Sequence, residues 1–287
     1  REIIEDRLFR EVRILKMRGS KINEPLGCIS LYKGFGLYPP SKITKDYYVG
    51  KRYQPPKDPS GAYTTGIPDL DLEIGGYVDG STILIDIDPK ISLPEYTLIY
   101  GPMAVSYALK NRVVLMIPSG GADWRDVISF GKSFGVPDDI LSSNLRILID
   151  VETREELPGN VTKTSLQDPD EIFDRIHEVV KSSIPKGKGP PLISLGIDRL
   201  ASRLREMIIE LMYRVSNLIK NTGGLVVFIM KPIYPWIIER LAPTSDIHLK
   251  ITKMNGRVIL YGIKPHTPYY IVEPAEDNLT PKLIPIV

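Results

Sequence analysis

Residues 64–98 read TTGIPDLDLEIGGYVDGSTILIDIDPKISLPEYTL, and this stretch decides the fold. Its middle, residues 81–87, is a short apolar run with the makings of a buried strand. A helix is predicted over 93–110, because Ser92 with Glu95 three residues on forms a capping box and Pro94 is tolerated in a first helical turn. Gly101-Pro102 is expected to kink or interrupt that helix. The turn between strand and helix, residues 86–94, contains no glycine. Three carboxylates gather around it: Asp86, Asp88 and Glu95.

Outward from this unit the pattern repeats. Strands are predicted at 112–117, 145–150, 191–197 and 225–230, and helices at 123–134, 168–183 and 199–221. The last is the longest, carries Leu200, Leu204, Ile208, Leu211 and Val215 at helical spacing, and stops at Gly223-Gly224. Short continuous apolar strands separated by helices indicate a parallel sheet covered on both faces. Residues 246–287 change to strands separated by turns, so an antiparallel ending is expected. Residues 41–62 are rich in Pro, Lys and Tyr without periodicity and read as a linker.

Composition narrows the functional classes. Among 287 residues the net charge is +2, so no overall basic field argues for nucleic acid. Hydrophobic residues at 43% support a packed core. The single cysteine, Cys28, excludes an internal disulfide framework and fits a reducing compartment, so a cytoplasmic location is expected. No apolar run approaches the roughly 20 residues of a membrane helix. His177, His248 and His266 have no metal-ligand spacing. Gln54 and Gln167 are the only two glutamines, a composition that leans toward a thermophile.

The lead-in TTGIPDLDLEIGGYVDGSTILI, residues 64–85, resembles the entry to the phosphate-binding loop in the archaeal-type KaiC branch of the RecA-like ATPases. That resemblance implies an α/β, RecA-like three-layer fold with a mainly parallel central sheet and antiparallel C-terminal strands. In the family the loop reads G-x-x-x-x-G-K-[ST]: its glycines let backbone N–H groups wrap the phosphates, its Lys reaches the terminal phosphates and its hydroxyl holds Mg²⁺. Aligned on the lead-in, Leu93 falls at the Lys position and Pro94 at the hydroxyl position. PPLISLGID, ending at Asp198, is similar to the Walker B strand; Asp198 is then a vestigial metal-supporting carboxylate or an N-cap for the helix that follows. The catalytic glutamate of the family has no counterpart in MIPSGGADW, residues 116–124. Three losses at separate places point to a domain without ATP chemistry.

A second resemblance lies at the N-terminus. LKMRGS and GFGLYPP, within residues 1–40, look like the closing hairpin of a preceding KaiC-like domain. An internal repeat agrees: residues 257–270 parallel residues 10–23, with Lys264 matching Lys16 and His266 at the place of Arg18. The resulting organisation is 1–40 as that hairpin, 41–62 as linker and 63–287 as a RecA/KaiC-like domain lacking a functional P-loop. In the family, the Lys and Arg of this hairpin reach the neighbouring subunit's nucleotide, so Lys16 and Arg18 are candidate interface residues acting in trans.

The expected function is a nucleotide-silent domain that scaffolds or regulates beside an active ATPase domain, in a homo-oligomer or ring. No catalytic residue, metal site or cofactor is expected, with ATP and Mg²⁺ entering only if a degenerate loop still binds them. Ser92, Lys90 and Asp198 would mark that vestigial site. Two alternatives stand beside it. One is an ATP-binding ATPase or recombinase paralogue with a rearranged loop that uses Lys90. The other is a nucleic-acid-binding module using the interleaved bases and aromatics of 42–53, such as Lys45, Tyr47, Tyr48, Lys51 and Tyr53.

Overall fold

The computed structural model describes residues 2–19, 21–152, 155–184, 187–231, 234–275 and 278–287. Ten strands make one sheet, numbered here along the chain: β1 (Ser81–Ile87), β2 (Val114–Ile117), β3 (Leu145–Asp150), β4 (Val161–Thr164), β5 (Leu192–Gly196), β6 (Leu225–Met230), β7 (Ile247–Met254), β8 (Arg257–Lys264), β9 (Tyr270–Glu273) and β10 (Lys282–Pro285). Their spatial order is β4-β3-β2-β5-β6-β1-β7-β8-β9-β10. Every neighbouring pair from β4 to β7 is parallel, and the pairs from β7 to β10 are antiparallel. The mixed α/β architecture is that of a RecA-like fold with antiparallel C-terminal strands.

Among the described residues, eight α-helices surround the sheet: α1 (Pro68–Ile74), α2 (Leu93–Leu109), α3 (Trp124–Ser133), α4 (Asp138–Asn144), α5 (Pro169–Ser183), α6 (Ile197–Leu204), α7 (Met207–Thr222) and α8 (Pro235–Leu241). Strand alternation divides the core into two layers. Ile83, Ile85 and Ile87 of β1 pack with Leu98, Met103 and Tyr107 of α2 in one layer. Leu84 packs with Ile208, Leu211 and Val215 of α7 in the other.

The N-terminal residues form a hairpin, Glu2–Ile4 with Arg7–Phe9, and a small sheet of Glu11–Arg13, Leu26–Ser30 and Gly36–Tyr38. Both dock on the antiparallel end of the main sheet. Phe9 and Cys28 are buried against Ile259, Tyr261, Tyr269 and Ile271. The buried Arg7 donates to the Thr267 and Gly262 carbonyls, each at 2.7 Å, and its guanidinium lies 4.7 Å from the Tyr261 ring centroid. Residues 41–62 wrap the parallel part of the sheet: Tyr48 donates to the Pro94 carbonyl at 2.6 Å and stacks edge-on to Phe130, while the Tyr53 hydroxyl lies 2.7 Å from that of Ser106.

Three local expectations are corrected. The helix expected over 199–221 is two helices, α6 and α7, separated at Arg205, whose φ of 53° is a left-handed conformation. The apolar spacing runs unbroken across that point, and no Gly or Pro marks it. The helix over 93–110 is not interrupted at Gly101-Pro102: α2 continues through both. Gly101 is instead where Phe134 packs, since a Cβ there would sit 2.9 Å from its ring. Finally, Asp198 is not an N-cap. Gly196 holds that position and Asp198 lies in the first turn of α6, its carboxylate directed at another loop.

Candidate functional site

The carboxyl ends of β1, β2, β5 and β6 meet at one edge of the sheet, where open α/β folds place their ligands. Two groups of side chains occupy this edge.

The first closes the end of β1. The capping box is present: Glu95 accepts from the Ser92 backbone N–H at 2.8 Å and from the Ser92 hydroxyl at 2.9 Å. Glu95 is almost fully buried at 1% exposure, and Lys253 of β7 supplies its countercharge at 2.6 Å. Asp88 accepts from the Thr252 hydroxyl at 3.0 Å and from the Lys90 N–H at 2.8 Å, and the Asp88 N–H donates to Ile251. Asp86 stands opposite Lys250 in the β1–β7 ladder, with 3.7 Å between charges. Burial pushes the Asp86 carboxyl upward, and Lys250 opposes that shift. On one face, then, β7 presents Lys250 and Thr252 to Asp86 and Asp88 as cross-strand pairs; on the other it presents Lys253 to Glu95. Together they make a plug held from within the chain, although Asp86 Oδ1 is buried without a hydrogen-bond partner among the described residues. Lys250, Thr252 and Lys253 escaped sequence reasoning because they lie about 160 residues along the chain, and only the pairing of β7 with β1 brings them there.

The second group surrounds Asp198. Its carboxylate accepts from the Gly120 N–H at 2.9 Å and from the Arg199 N–H at 3.0 Å. Lys231, at the end of β6, donates to the Gly120 carbonyl at 3.2 Å and lies 5.4 Å from the Tyr96 ring centroid. The Tyr96 hydroxyl is 3.3 Å from that of Ser119. Burial raises the Asp198 carboxyl, against the two amides and the charges of Lys231 and Arg199. Tyr96 links the groups, since it lies on the first turn and a half of α2, behind Ser92. Lys231 was missed because a lysine after an apolar strand carries no sequence signal of its own.

Of the residues singled out from sequence, Ser92 lies in the plug and Asp198 a strand group away. Lys90 is exposed on the turn and contributes its backbone N–H to Asp88. Lys16 and Arg18 lie on the exposed loop after Glu11–Arg13, in the docked N-terminal sheet. Lys264 is held within the chain, donating to the Ser245 carbonyl at 2.6 Å. In the 42–53 cluster the aromatics are turned inward: Tyr48 is 1% and Tyr53 5% exposed. No group of three metal-ligating side chains occurs among the described residues, and no helix among them is long and apolar enough to cross a membrane.

The edge does not fit a nucleoside triphosphate with Mg²⁺. A cradle needs free backbone N–H groups and a lysine at the helix start. Here a buried glutamate takes the Ser92 amide, and the turn carries carboxylates that repel polyphosphate.

No protein-family model matches the chain, and no curated protein matches its sequence. Solved structures do match in fold. One is a KaiC-like protein of the hyperthermophilic archaeon Pyrococcus horikoshii OT3, at TM-score 0.56 and 16% identity, covering 77% of this chain and 98% of that one. Another is an uncharacterized protein from Pyrococcus horikoshii in complex with an unknown peptide, at TM-score 0.59 and 17% identity, with the same coverage. The chain therefore has a KaiC-like, RecA-like fold.

Proposed function

We propose that this is a nucleotide-silent RecA/KaiC-like domain that works by packing against like domains, as an oligomerisation scaffold or regulator beside an active ATPase domain. The observation that carries the reading is the Glu95–Lys253 pair. It fills the helix start, where an ATPase of this fold would hold phosphate, with a buried carboxylate already neutralised from within the chain. Asp198 supports the reading too, because its carboxylate is engaged by the Gly120 and Arg199 amides. The N-terminal residues 1–40, with Lys16 and Arg18 exposed, would face the neighbouring domain, and a preceding KaiC-like domain is their natural context. A cytoplasmic, thermophilic setting accompanies this proposal. Isothermal calorimetry with Mg²⁺-ATP tests it: no saturable heat is expected. Micromolar binding, or hydrolysis abolished by Asp198→Asn, would reject it.

A further inference from the structure

Helices α2 and α3 and the sheet line a half-open cavity of about 100 Å³. Tyr96, Tyr100 and Ala104 of α2, Phe130 and Phe134 around the end of α3, and Met116 of β2 form much of its wall. Among the described residues, Asp126 is the one charged residue in the lining. An apolar cavity of about 150 Å³ stays dry and takes up benzene, whereas nucleotide- and drug-sized sites begin near 300 Å³. Size and lining therefore select a single ring or a short branched chain.

A second observation points to an occupant. The Tyr100 hydroxyl is buried in this wall and has no hydrogen-bond partner of ordinary geometry among the described residues, although Ser194 stands near it. Buried polar atoms are almost always satisfied. With Ser194 as its one poorly aligned neighbour, this hydroxyl leaves a place for a polar atom on something that enters. Burial pushes the Tyr100 phenol far upward, so the hydroxyl stays protonated and able to donate.

We propose that this cavity binds a small aromatic molecule carrying one hydroxyl or carbonyl, its ring among Tyr96, Phe130 and Phe134 and its polar atom on Tyr100. The cavity shares Tyr96 and Ser119 with the Asp198 group but none of the paired residues of the plug. The occupant bears directly on α2, the helix that carries Glu95.

The test uses p-cresol and toluene as probes, with NMR of methyl-labelled alanine and methionine in the full chain. Saturable shifts of the Ala104 and Met116 methyls are expected with both, and p-cresol should bind about five-fold tighter, the worth of one hydrogen bond. Tyr100→Phe should erase that preference, so that the variant binds the two probes equally. Ala104→Leu should fill the void and abolish both, with Ala108→Val as the milder filling variant where leucine disturbs the fold. The proposal is overturned by absent saturable shifts, by equal affinity for the two probes, or by binding that survives filling.

Discussion

The end of β1 and the N-terminal sheet satisfy their side chains in opposite ways. At the end of β1, Glu95 and Asp88 are held by Lys253 and Thr252, and Asp86 faces Lys250, all from one adjacent strand. The N-terminal sheet spends Phe9 and Cys28 on the main sheet but leaves Leu15 at 85% and Phe35 at 71% exposure, with Tyr32 and Leu37 also in solvent. Lys16 and Arg18 flank Met17 on the same exposed loop. One region is closed by charge pairing; the other leaves apolar side chains in solvent. Under the proposed scaffold reading, that apolar rim is where a neighbouring domain would pack.

The largest test strikes the closed region. Lys253→Met should destabilise the fold by about 3 kcal/mol, because it strands a buried carboxylate. Adding Glu95→Gln should restore most of that. Urea denaturation of the single and double variants measures both, and a loss below about 1 kcal/mol for the single change would show that the pair does not seal β1.

A pH titration probes the strand that supplies the seal. His248 of β7 is buried, and burial together with Lys250 lowers its pKa to about 4. The unfolded chain, titrating near the ordinary value of 6.5, then binds more protons between those limits. Stability should fall as pH drops from 6.5 to 4, by about 2 kcal/mol, since Asp86 and Asp198, whose carboxyls are raised, offset part of the loss. His248→Gln should flatten that slope in thermal melts.

Arg205 lies outside both regions and calibrates them. Its left-handed backbone suits glycine, so Arg205→Gly should raise stability by about 1 kcal/mol in the same urea assay. The smallest stability effect is expected in the open region. Leu15→Ser with Phe35→Ser should shift folding by less than about 0.5 kcal/mol yet weaken self-association in sedimentation velocity. Unchanged sedimentation would remove the apolar rim from any role in assembly.

Much of the fold was legible because local signals agreed with the tertiary outcome. The β1 run, the Ser92–Glu95 box and the β6 run LVVFIM each formed where composition placed them. What escaped depended on distance or on context. Helix α4 and strand β4 are short, with too few turns or residues for a periodicity to register. The break at Arg205 falls inside a continuous apolar pattern. In the candidate site, the carboxylates of the turn were readable, but their partners were not: Lys250 and Lys253 look like ordinary surface lysines until β7 is laid beside β1. Asp198 fits an N-cap or a vestigial metal-supporting carboxylate by sequence; it lies in the first turn of α6, and tertiary packing gives its carboxylate to the Gly120 amide.

The docked N-terminus also has a kinetic consequence. Phe9 and Cys28 find most of their cover on residues 254–286, and Arg7 reaches carbonyls 255 and 260 positions ahead. At ribosomal speeds of roughly 5–20 residues per second, these groups wait unprotected for on the order of ten seconds or more before their berth exists. A segment made long before its partners is thus among the last to settle, and a chaperone that shields it during that interval would raise the yield of native molecules.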